Sequence, residues 1–103
     1  MDFDQVKTID DCIETATVDA YGDDELATGW LTCLEEIFGD IEHVNVLGDT
    51  VRLKQLDLAG HQVVAVCAKA KKTINVTLDS IELIKPTKVQ QLWLNAWRQW
   101  TKV

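Results

Sequence analysis

The chain has 103 residues, 47% hydrophobic and 26% charged, with a formal net charge of -7 at neutral pH. This is the composition of a single packed domain, residues 1–103, able to bury roughly 60–70% of its unfolded surface without disulfide or metal staples. No apolar run approaches the roughly 18 residues of a membrane span, and the opening MDFDQVKTIDD lacks a signal peptide's basic flank and apolar block, so a cytoplasmic protein is expected.

In chain order, Val6, Ile9, Ile13, Ala16 and Ala20 recur at spacings of three and four, with Asp10, Asp11 and Glu14 off that stripe. The pattern predicts an amphipathic helix within residues 3–20, its last turn weakened by Thr15, Thr17 and Val18. Tyr21-Gly22 punctuates the chain. Leu26, Ala27, Trp30, Leu31, Leu34, Ile37 and Phe38 then repeat with helical spacing, with Gly22 or Asp23 placed to cap this second helix and Gly39 to end it.

From residue 43 the period changes to two. The segments 43–46, 50–56, 62–67 and 73–78 are rich in β-branched residues and read as strands, separated by turns at Gly48-Asp49, Ala59-Gly60 and Lys71-Lys72. Turns this short join neighbours antiparallel, which gives a meander or a small SH3-like barrel, with Asp79–Ile84 as a further turn or a fifth strand. Pro86 suits the first turn of a last helix, 86–102, with Val89, Leu92, Trp93, Ala96, Trp97 and Trp100 on one arc and Lys88, Gln91, Asn95, Arg98 and Lys102 on the other. The fold class is therefore α+β: two N-terminal helices, an antiparallel sheet of four or five strands, and a C-terminal helix whose tryptophan face closes the core.

Charge divides the chain in two. Residues 1–49 hold fourteen carboxylates against Lys7 alone, a net of -13, whereas residues 50–103 hold three against nine bases, a net of +6. Such a chain can neutralise itself, attract cations to one half, or dock its acidic face onto a basic protein surface or a second copy of itself, giving a homo-oligomer. Nucleic acid is a poor partner, because the bases are scattered and the acidic half repels phosphate.

Catalysis lacks its parts. There is no Gly-x-Ser-x-Gly setting, no phosphate-binding glycine loop, no Cys and His at a recognisable spacing, and only two histidines, His43 and His61. Cys12, Cys33 and Cys67 have no C-x-x-C spacing and sit in apolar stretches, which reads as reduced, buried thiols. A non-enzymatic role is expected.

The stretch VDAYGDDELATGW, residues 18–30, carries the remaining chemistry. Asp19, Asp23, Asp24 and Glu25 offer hard carboxylate oxygens, the ligands calcium takes six to eight at a time, and Tyr21 or Gly22 carbonyls, a distant acid and water would complete a shell. An EF-hand is excluded: counted from Asp19, Asp24 falls where the invariant glycine belongs and Trp30 where the bidentate glutamate belongs. The same acids are also favourable with no ion, as the first turn of a helix beside its positive dipole end.

The segment VDAYGDDELATGWLTCLEE resembles the pattern near the N-terminus of the small acidic CcbP-type calcium-binding proteins, and Leu78-Asp79-Ser80-Ile81-Glu82 and Trp97-Arg98-Gln99-Trp100 continue the likeness. The resemblance implies a non-EF-hand calcium binder, a buffer or sensor of mixed helix and sheet, with Asp19, Asp23, Asp24 and Glu25 as candidate ligands. It also implies acids in a loop between the central strands and before the last helix. Here those places read Asp57-Leu58-Ala59-Gly60-His61 and Ile84-Lys85-Pro86-Thr87-Lys88, which raises the electrostatic cost of a nearby dication and predicts weak binding.

Overall fold

The structure is a computed structural model and describes residues 6–102. Helix α1 spans Ile9–Thr17 and α2 spans Asp23–Ile37. The expected start of α1 at residue 3 lies outside the described residues. The helix begins at Ile9 because Thr8 forms a capping box: its hydroxyl accepts from Asp11 N–H, while the Asp11 carboxylate accepts from the N–H groups of Lys7 and Thr8. Those donors, the Lys7 N–H foremost, hold the Asp11 carboxyl below its usual range. The helix also ends three residues earlier than its apolar stripe suggests. The Thr15 and Thr17 hydroxyls donate back to the carbonyls of Asp11 and Ile13, Val18 is extended, and Asp19 enters the left-handed region at φ 58°.

Strands β1 (His43–Val46), β2 (Asp49–Ala59), β3 (Gln62–Lys69) and β4 (Lys72–Thr77) form an antiparallel meander, followed by a 3-10 turn (Leu78–Ser80) and β5 (Ile81–Leu83). The turn brings β5 back to β1, so the spatial order is β4-β3-β2-β1-β5. The five-stranded alternative is thus realised as an open sheet, with no ladder joining β4 to β5 and closing the strands into a barrel. In β2, Val51 and Leu53 face inward, as do Leu56 and Leu58, a step of three where alternation demands two. A bulge at Lys54 absorbs the extra residue, since Leu53 pairs with Cys67 and Gln55 with Val66.

The helices lie over the inward face of this sheet. Gly29 sets the approach of α2 to α1, because a Cβ built there would lie 2.2 Å from the Ala16 carbonyl oxygen. Helix α3 (Lys88–Thr101) starts at a second capping box, Thr87 with Gln90, so Pro86 precedes the helix instead of opening it. Its buried arc is Gln90, Trp93, Leu94, Ala96 and Trp97, rotated from the expected one so that Val89 is exposed. The reason is Gln90, whose amide reaches inward to Asp40 Oδ1 at 2.9 Å and the Ile37 carbonyl at 3.4 Å. Arg98 ties the far end down, donating to the carbonyls of Ile81 at 2.7 Å and Asp79 at 3.3 Å.

The centre of the core is a tryptophan cluster. Trp30 meets Trp93 and Trp97 edge to face, at 5.9 and 5.4 Å between ring centroids, and Trp100 obliquely at 5.9 Å. The indole N–H groups of Trp30 and Trp97 are buried with no hydrogen-bond acceptor among the described residues. Edge-to-face packing sets the positive rim of one ring against the negative face of another, which compensates part of that loss.

Candidate metal centre

The four candidate acids occupy one exposed bend between α1 and α2. Asp19 follows the end of α1 with φ 58°, a conformation an aspartate tolerates better than most residues. Gly22 is the N-cap of α2, without a side-chain cap bond, and Asp23, Asp24 and Glu25 form the first turn. Both readings of this stretch share one geometry: Asp23, Asp24 and Glu25 sit at the positive end of the α2 dipole, Asp19 follows the C-terminal end of α1, and all four are open to solvent.

Two of the four are engaged. Glu25 Oε2 accepts from the Tyr21 N–H at 3.0 Å, closing the bend in the manner of a cap. Asp24 Oδ1 lies 2.8 Å from His61 Nε2, across from the turn between β2 and β3. With the Asp24 side chain 95% exposed and that of His61 57%, this pair adds little to stability. The Asp19 and Asp23 carboxylates make no hydrogen bond or ion pair with the described residues. Tyr21 points outward, 89% exposed.

The donor chemistry suits calcium, but the arrangement is not a finished coordination shell. Among the described residues no three His, Cys, Asp or Glu side chains gather as a metal-holding group. Asp23 also lines a cavity of about 260 Å³ shared with Leu26, Ala27, Trp30, His61, Trp97 and Trp100, so the acidic bend adjoins the tryptophan cluster.

A second polar cavity, about 380 Å³, was not apparent from spacing. It is lined by Asp40, Ile41, Glu42, His43, Ile84, Lys85, Thr87 and Gln90. Its sequence signal is the Thr87-Lys88-Val89-Gln90 capping box, which fixes the Gln90 side chain at the point where it meets Asp40. The two segments expected to carry acids thus fold against existing acids and bring cationic or titratable groups: His61 beside Asp24, and Lys85 into the cavity of Asp40 and Glu42.

No family model matches the chain, and no curated protein matches it. Among solved structures, the crystal structure of Anabaena CcbP superposes with a TM-score of 0.76 at 19% identity, covering 90% of this chain and 88% of that one. The chain has the CcbP fold. A structure described as a calcium-binding protein in its calcium-binding form superposes with a TM-score of 0.75 at 18% identity, covering 91% and 89%. No described helix is long and apolar enough to cross a membrane.

Proposed function

We propose that this protein is a non-enzymatic calcium-binding module of CcbP type, a weak buffer or sensor working in the cytoplasm. The observation that carries the reading is the bend itself: Asp19, Asp23, Asp24 and Glu25, all solvent-facing, in a chain with the CcbP fold. These residues would supply carboxylate oxygens, and when bound the ion would cross-link the end of α1 to the start of α2. Weak affinity follows from the ground state. Asp24 has to leave His61 and Glu25 has to leave the Tyr21 N–H, and each lost contact is subtracted from the gain on binding. Cys12, Cys33 and Cys67, all buried and none in a disulfide, suit a reducing compartment.

The test is the thermal midpoint of chelator-stripped protein titrated with calcium, against magnesium at matched ionic strength. A calcium-selective, saturable rise is expected, with ligand at ~100 times Kd contributing about 2.7 kcal/mol. A flat response, or one magnesium reproduces, would sink the reading. A second reading, an acidic docking face for a basic protein surface, draws on a different observation. Only two ion pairs, His61–Asp24 and Lys69–Asp49, form among the described residues, so the -13 half is largely un-neutralised by direct contacts. That reading predicts salt-sensitive capture spread over many acids.

A further inference from the structure

The edge strand β4 has the properties of a self-pairing surface. It pairs with β3 on one side in unbroken register, from Lys69↔Lys72 to Val64↔Thr77, so alternate N–H and C=O groups on its other side have no strand partner among the described residues. It carries no proline and no bulge, and all of it except Val76 is exposed. Ile74 and Val76 stand opposite Cys67 and Ala65, two fully buried residues, and so share the core-facing side of the sheet. Helix α2 packs over β2 and β3, and Ile74 is left 37% exposed at the margin.

We propose that β4 pairs antiparallel with β4 of a second copy about a two-fold axis, extending the two sheets into one of ten strands. Centring the axis on Asn75 keeps both apolar rows on the same face. Ile74 then stands opposite Val76 of the second copy, and Val76 opposite its Ile74. The pairing is confined to Lys72–Thr77, because the chain turns away from the edge at Leu78. The strand is therefore complementary to itself in backbone and apolar row, which an unrelated extended peptide would have to match by chance; this favours a second copy as the occupant. An interface one strand wide is small, so the dimer forms reversibly with concentration.

Sedimentation velocity of the full chain in chelator, from micromolar to millimolar, tests this independently of calcium. A monomer–dimer equilibrium is expected. Ile74→Lys should weaken it about tenfold, since it removes two cross-strand apolar pairs, while the thermal midpoint of the dilute protein is retained. A monomer at every concentration, a dimer indifferent to Ile74→Lys, or a monomer that instead takes up an added extended peptide along β4 would each overturn the proposal.

Discussion

Gly29 and Ala16 are in a contact that no side chain at residue 29 can share, because a Cβ there would sit 2.2 Å from the Ala16 carbonyl oxygen. The obstacle is backbone, so relief requires α1 and α2 to move apart. Gly29→Ala gains up to about 1 kcal/mol in helix propensity and loses roughly 1–3 kcal/mol to overpacking. A net loss is expected, read as a lower thermal midpoint. A gain would mean the helices slide apart freely.

The β1–β2 turn predicts the opposite outcome. Leu47 and Gly48 both have positive φ, 51° and 84°, and Leu47 is 96% exposed. A leucine is strained there and buries nothing in return, while asparagine before glycine is the preferred pair for such a hairpin turn. Leu47→Asn should stabilise by about 0.5–1 kcal/mol, measured by denaturant midpoint at unchanged slope.

Alkaline pH should destabilise the fold through its thiols. Burial is the main cause pushing Cys12 up to about 11 from an ordinary 9.0, with the nearby Asp11 and Cys33 adding to it, and burial raises Cys33 and Cys67 as well. Below the ordinary value the thiols are neutral in both folded and unfolded chains, so stability is fully present there. As pH rises through that value the unfolded thiols ionise first, and stability falls until the folded Cys12 value is passed. A thermal midpoint that declines between pH 9 and 11, less steeply in Cys12→Ala, is the expected result.

In calcium titrations, His61→Ala should tighten binding about twofold to fivefold by releasing Asp24, the scale expected for an exposed pair. Asp23→Asn should weaken it. If both variants match the parent, the ion is not held at this bend.

Much of the fold was legible in the sequence because its signals are local. The switch from helical to two-residue period at His43 marks the change from helices to sheet, whereas the bulge between Leu53 and Gln55 went unread until the pairing with β3 placed it. What escaped depends on contacts distant in sequence. Nothing near Gln90 announces Asp40, fifty residues away, yet that bond rotates the buried face of α3 to include Leu94 and leaves Val89 exposed. The candidate acids could be named from spacing, but whether they converge is a property of side-chain commitments. His61 holds Asp24 across an interval of 37 residues, and no local pattern foretells it.

The tryptophan cluster also makes the protein its own optical reporter. All four indoles of the chain belong to it, and Trp100 lines the cavity that Asp23 and His61 also line. Intrinsic fluorescence therefore reports on the core and on the cavity that joins it to the acidic bend, while the β4 edge carries no aromatic residue. Ion capture at the bend would register as a change in emission. Strand pairing at the β4 edge, which carries no indole, would leave the spectrum largely unchanged while the mass doubled.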